Sequence, residues 1–356
     1  MEQKTKTIYQ RHLLETPDTL VSDGQINFGC FKQPFKKVNL IDAKQPYKLP
    51  LPKLLKNIQL REWQAFQIGN KDYFVMMAIY NAKKMALVQF ILYDIKAKKK
   101  VRYEKKVAAW QLNVPNSLYD TKAGYRSKNF TIAVHHDIEK KKLSIAVEIK
   151  NFQDLPDVKA HFVGIHDTEK YRPTVVCLPF SAKRAMYSHK CLMPMYGQIN
   201  IDNKCIDFDI ESSHLILDDH KGYYPFPTRY DWVTSFGYNK KNELFGLNLT
   251  DNQVVKQELY NENCLWLNGN LHLLPPIKVK RKGGTKGDWL IKDRFDMVNL
   301  VFTPTVHTSV NINLLVFKSK YEGPYGWLNG YVRKADGEKV MIENMFAMGE
   351  DFYLRV

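Results

Sequence analysis

The chain has 356 residues, 44% of them hydrophobic and 13% aromatic, enough to bury a sizeable core and too apolar for a disordered segment. Its formal charge of +16 is carried mainly by lysines spread along the chain, which argues against arginine-based nucleic-acid readout, so no nucleic-acid partner is expected. Five cysteines at 30, 177, 191, 205 and 264, without a CxxC pair, exclude a disulfide framework or zinc knuckle, and no window of about 18 apolar residues offers a transmembrane span.

Residues 1–24 read as a polar lead-in without the apolar core of a secretory signal, ending at the Asp23-Gly24 turn. A cytoplasmic, reduced, soluble protein is the expectation. Ile26–Lys32 gives the first strand signal, and Leu51, Leu54, Leu55 and Ile58 recur at helical spacing within Pro50–Phe66. Strand, turn and strand then alternate: Trp63–Ile68, Tyr73–Tyr80, Met85–Ile95, Val101–Val107, Phe130–Val134, Leu143–Ile149, His161–Ile165 and Thr174–Leu178.

The second half opens at Ser188–Ile201, followed by Cys205–Ile210 and Ser213–Leu217. A polar hinge, HKGYYPFPTRYDW, occupies His220–Trp232. Strands are expected over Trp232–Tyr238, Leu244–Leu249, Glu258–Trp266, Leu271–Val279, Trp289–Lys292, Met297–Phe302, Asn311–Phe317, Gly326–Arg333 and Val340–Arg355. The basic run Lys278–Gly287 reads as a mobile loop, and its GGTKG lacks the context of a phosphate loop.

So many antiparallel strands must close or cover their edges, which predicts an all-β chain of two antiparallel β-barrels or barrel-like sandwiches side by side. The expected division is a 1–24 lead-in, a first half over 25–187 and a second over 188–356. A barrel of about eight strands can hold one small apolar ligand. NFGCF at 27–31 and PYGWLNG at 324–330 echo one another, too briefly to establish a repeat.

HKCLMPMYGQI at 189–199, YYPFPTRYDWVTSFG at 223–237, NLTDN at 248–252 with ENCL at 262–265, and EGPYGWLNGYVRKADGEKVMIENMFAMGED at 322–351 together resemble the bacterial family called domain of unknown function 2804. The resemblance covers about Gly24 to Val356. It implies a lipocalin-like double barrel, similar to carotenoid hydratases, AttH-type proteins and some fungal cyclases. In the hydratases an aspartate among aromatic and histidine residues protonates an alkene, which by analogy points to Asp231 between Tyr230 and Trp232. The hydratase run Asp-His-Asn-Trp-Gly is missing here.

On the residues alone, Asp231 serves as a general acid if burial raises its pKa, with Arg229 positioning an anionic or carbonyl group and His220 relaying a proton. The alternative is an Asp-Arg pair closing a loop. Glu262 becomes its acid-base partner if both face one cavity. Tyr224, Tyr230, Trp232, Trp266, Trp327 and Arg229 are the candidate ligand contacts. His214 and His220 beside Asp218-Asp219 come nearest to a metal-ligand cluster, but the spacing matches no strong pattern, so neither a metal nor a cofactor is expected. Three functions stay open: a binder of a hydrophobic or amphipathic small molecule, an acid-base hydratase, isomerase or cyclase, and a basic protein at anionic membrane surfaces.

Overall fold

The computed structural model describes residues 8–47, 49–313 and 318–355. The start of the lead-in and residues 314–317 of the strand expected over Asn311–Phe317 lie outside them. Residues 309–313 of that region are strand. Among the described residues the protein is all-β, built of two large curled antiparallel sheets and a two-stranded one, with one short α-helix. No helix among the described residues is long and apolar enough to cross a membrane.

The chain divides into two compact units, and the boundary at Tyr223/Tyr224 falls inside the HKGYYPFPTRYDW stretch. The larger unit comprises Glu15–Cys177 and Ala182–Tyr223. Its helix α1, Lys53–Gln59, stops well short of Phe66, because the alternation of Arg61–Gly69 claims those residues for strand β1. The next strands are β2 (Tyr73–Asn81), β3 (Ala86–Asp94), β4 (Lys99–Val107), β5 (Thr121–Arg126), β6 (Phe130–Asp137), β7 (Lys142–Ile149), β8 (Val158–Ile165), β9 (Arg184–Ile201) and β10 (His214–Gly222). In space they follow the order β4-β3-β2-β1-β10-β9-β8-β7-β6-β5. Apart from the junctions at β10 and β9, this is a meander of sequential hairpins.

Strand β9 is long enough to serve two neighbours. Met186–Pro194 pair with β10 and Met195–Ile201 with β8. Gly197 sits in the second stretch, where an added Cβ would come within 2.2 Å of the His161 carbonyl oxygen, so the close backbone approach requires glycine. The face turned into the curl carries Phe66, Ile68, Val75, Met77, Val88, Phe90, Ile132, Ile145, Phe162, Met193 and Leu217, all buried in one cluster.

The second unit comprises the N-terminal residues to Leu14, Leu178–Ser181 and Tyr224–Val356. Strands β11 (Thr228–Tyr238), β12 (Leu244–Asp251), β13 (Cys264–Leu267), β14 (Asn270–Leu273), β15 (Ile277–Arg281), β16 (Trp289–Asp293), β17 (Val298–Val306), β18 (Tyr325–Arg333) and β19 (Lys339–Arg355) take the order β14-β13-β12-β11-β19-β18-β17-β16-β15. Its core holds Phe245, Leu247, Leu265, Trp289, Leu300 and Phe302. The basic run is more ordered than its composition suggests: Ile277 and Val279 turn inward while Lys278 and Lys280 point out, and the alternation makes β15 of half the expected loop.

Candidate functional site

Three neighbouring strands of the larger unit carry polar residues on a face that is otherwise core. In register, Glu62 of β1 lies opposite Lys221 of β10, which lies opposite Tyr187 of β9. One step further along, Gln64, Asp219 and His189 form a second row, and then Phe66, Leu217 and Cys191 begin the apolar core. Because side chains alternate across a strand, the two polar rows and the core residues share the inner face.

Every member of the two polar rows is buried. The Glu62 carboxylate accepts from Lys221 Nζ at 2.9 Å and is also paired with Lys83, so two lysines share one carboxylate. Lys221, with no exposed side-chain surface, also donates to the Val114 carbonyl. Gln64 donates to Asp219 Oδ1 at 3.0 Å, and its carbonyl oxygen lies 2.9 Å from His136 Nε2. Burial pushes the Asp219 carboxyl up to about 6, against the opposing pull of Lys221 and the Gln64 hydrogen bond.

Of the five imidazoles buried in the same unit, His136, His166 and His189 are electrostatic neighbours. Burial pushes His136 down to about 3 and His166 to about 4, and it holds His189 well below the usual range. The His166 and His189 rings lie 5.5 Å apart edge to face, and none of their four ring nitrogens has a hydrogen-bond partner. All three are therefore neutral near pH 7.

A cavity of about 460 Å³ opens onto the Glu62 end of these rows. Glu62, Lys83 and Asn81 contribute its polar side, and Leu40, Ile58, Leu60, Leu112, Val114 and Trp110 its apolar side. Asn81 donates to the Ala109 and Leu112 carbonyls, which ties the Trp110 turn to β2. With two lysines on one carboxylate, the polar side carries a surplus positive charge. Such a pocket suits a molecule with an apolar body and an acidic or acceptor group.

The opposite face of the same strands holds Ser188, His220 and Asp218. Both Ser188 Oγ (2.9 Å) and Asp218 Oδ1 (2.8 Å) approach the same imidazole nitrogen, Nε2, whereas a nucleophilic triad puts its hydroxyl and its acid on different ring nitrogens. Trp63 stacks on the His220 ring at 4.5 Å, and Lys190 pairs with Asp218 at 2.9 Å. Burial would raise the Asp218 carboxyl, but His220 and Lys190 outweigh it and hold it below its ordinary value.

Asp231 lies in the other unit, on β11, whereas His220 lies on β10. Its carboxylate is paired with Arg281 of β15, whose guanidinium lies 4.2 Å from the Trp289 ring centroid. Burial raises its pKa; Arg281 opposes, and the carboxylates of Asp351 and Asp251, its neighbours in register, reinforce the rise. Arg229 is exposed and Trp232 buried, as alternation around Asp231 requires. The Trp232 indole donates to Asn248 Oδ1 at 2.7 Å, and Asn248 donates to the Glu262 carbonyl oxygen at 2.8 Å. The Glu262 backbone is thus linked through Asn248 to the Trp232 side of β11.

Tyr230 stacks on Phe352 at 4.9 Å and donates to Glu350 at 3.1 Å. Tyr224 packs 5.5 Å from Phe180, Trp266 is fully buried, and half-buried Trp327 meets the Phe346 edge at 6.0 Å. Among the described residues, Asp120, His135 and Asp137 bring one ligand atom each within 4.8 Å of one another, a partly exposed grouping that residue spacing does not reveal.

Glu62, Lys83 and Lys221 are absent from the candidates read from sequence, and Asp219 enters there only beside a weak metal-ligand grouping, not as an acid held by Gln64. One signal for two of them was present: in HLILDDHKG, Asp219 and Lys221 continue the phase of Leu215 and Leu217, so a strand ended at Leu217 hides them.

Residues 10–355 match the family model described as Domain of unknown function (DUF2804). Among solved structures, kievitone hydratase from Nectria haematococca is similar at a TM-score of 0.51 and 9% identity, over 83% of this chain and 88% of that one. CghA with Sch210972 is similar at a TM-score of 0.50 and 8% identity, with the same coverage. No curated protein matches the chain.

Proposed function

From the premise that the chain belongs to the DUF2804 family, whose fold is shared with a hydratase and with CghA, we propose that it binds a small amphipathic molecule in the larger unit. The cavity of about 460 Å³ carries the reading: its size suits a small organic ligand, and its lining divides into an apolar wall and a cationic corner. The ligand's apolar body packs on Leu60, Leu112 and Val114, and its acidic or acceptor group faces Lys83.

Native mass spectrometry of the purified protein, with lipid extraction, tests this. Lys83→Ala is expected to lower retention of an acidic apolar ligand about tenfold, the effect of one charge-assisted hydrogen bond. Equal retention by Leu112→Glu and the unmodified protein removes the cavity as the site.

The second reading is acid-base catalysis on an apolar substrate by a hydratase, isomerase or cyclase. Two carboxyls with raised pKa support it: Asp219, buried one row behind the Glu62–Lys221 pair, and Asp231 beside Arg281. Asp219→Asn keeps the acceptor for Gln64 and removes the proton. If Asp219 is the acid, turnover of a bound substrate falls at least a hundredfold. Full turnover in both Asp219→Asn and Asp231→Asn removes both from the chemistry.

A further inference from the structure

Helix α1 is turned inside out. Its leucines face solvent, with Leu54 70% and Leu55 47% exposed and Ile58 36%, while its one buried residue is Lys56, whose Nζ donates to the Ala43 carbonyl at 2.8 Å. A surface helix ordinarily does the reverse. Across the cavity mouth, Trp110 is 88% exposed on a turn held by Asn81, and Met85, at the tip of the β2–β3 hairpin, is 45% exposed. Ile58 and Trp110 line the same cavity, so the helix and the Trp110 turn flank one opening.

Charge is concentrated in the same stretches. Residues 36–62, 81–87 and 104–116 contain eleven lysines and arginines against three carboxylates, a surplus of eight in a chain whose net charge is +16. Of the three, Glu62 is taken by Lys83 and Lys221, Asp42 is paired with Lys53, and Glu104 with Arg102. Exposed Lys84 adjoins Met85, and Lys106 lies on the neighbouring strand.

We propose that α1 and the Trp110 turn form a docking rim for an anionic lipid bilayer, through which an apolar ligand passes directly between bilayer and cavity. Leucine, isoleucine, methionine and a projecting tryptophan are side chains that insert at the acyl boundary, and flanking lysines meet anionic headgroups. A bilayer fits better than a folded protein partner because the apolar side chains project singly and the surrounding charge has one sign. The passage of ligand rests on the binding reading above; the docking does not.

The test is co-sedimentation of the full chain with phosphatidylcholine vesicles, with and without phosphatidylglycerol. Binding is expected only with the anionic lipid, weakening at high salt, and accompanied by a blue shift of tryptophan emission that Trp110→Phe abolishes. Trp110→Glu and Leu54→Glu, both at exposed positions, are expected to bind at least tenfold more weakly, while Leu259→Glu, exposed in the other unit, binds as the unmodified chain does. No binding to anionic vesicles overturns the proposal, as does undiminished binding by Trp110→Glu, or a stoichiometric complex with a soluble protein that blocks vesicle binding. Vesicle binding by a protein whose cavity takes no ligand upholds the docking and refutes the binding reading.

Discussion

Lowering the pH from 7 to 5 is expected to destabilise the larger unit by about 6 kcal/mol. An imidazole in the unfolded chain titrates near 6.5, so at pH 5 each unfolded histidine gains about 2 kcal/mol from protonation. Folded His136, held down to about 3, His166 and His214, each held to about 4, and His189, held well below its ordinary value, stay neutral at pH 5 and gain almost nothing. Groups depressed on folding favour the unfolded chain as pH falls, and the loss begins below about 6.5.

Asp219 acts in the opposite sense. Its folded carboxyl, at about 6, binds a proton before the unfolded one does, so acidification from 7 to 5 returns about 1 kcal/mol. Urea denaturation followed at both pH values by hydrogen exchange of the β10 amides measures the balance. His166→Phe removes one titrating group and should shrink the pH dependence by about 2 kcal/mol. A denaturation midpoint that does not move between pH 7 and 5 refutes the assignment of four neutral imidazoles.

The second large effect is at the Glu62–Lys221 pair. Glu62→Leu leaves an ammonium with no exposed surface without its carboxylate, which costs about 3 to 5 kcal/mol. Glu62→Leu with Lys221→Met removes both charges and fills the space with apolar atoms, and it should recover most of that loss. Lys83, 16% exposed, then turns to solvent. Urea denaturation of the two single variants and the double one closes the cycle. If the double variant loses the full sum of the two single losses, the charges do not act as a pair.

Hairpins were legible because their information is local. Tyr73–Tyr80 and Met85–Ile95, read from β-branched and aromatic runs around a polar turn, correspond to β2 and β3 within one residue. The helix read over Pro50–Phe66 was half legible: Leu54, Leu55 and Ile58 do lie on a helix, but they face outward, since helical spacing places residues on one side without saying which side is covered. The candidate cavity was hidden for another reason. Glu62 and Lys221 are 159 residues apart, and no local pattern announces that β1 will lie beside β10. Asp231 was singled out for its aromatic neighbours in sequence, yet its partner, Arg281, is 50 residues further on. Chemistry-bearing residues can be found by type; their companions are set by strand pairing.

The junction of β1 with β10 also orders events in time. Translation proceeds from the N-terminus, so Glu62, Gln64 and His136 emerge long before Asp219 and Lys221. A ribosome-bound chain ending before residue 214 has the meander from β1 to β4 with an open edge, and a buried-to-be carboxylate still in water. The last strand made in this unit supplies at once the neighbour that β1 lacks, the cation that neutralises Glu62 and the acid held by Gln64. Nascent chains truncated before His214 therefore leave the edge of β1 open and Glu62 without Lys221, and the buried ion pair comes into being only when β10 emerges and seats between β1 and β9.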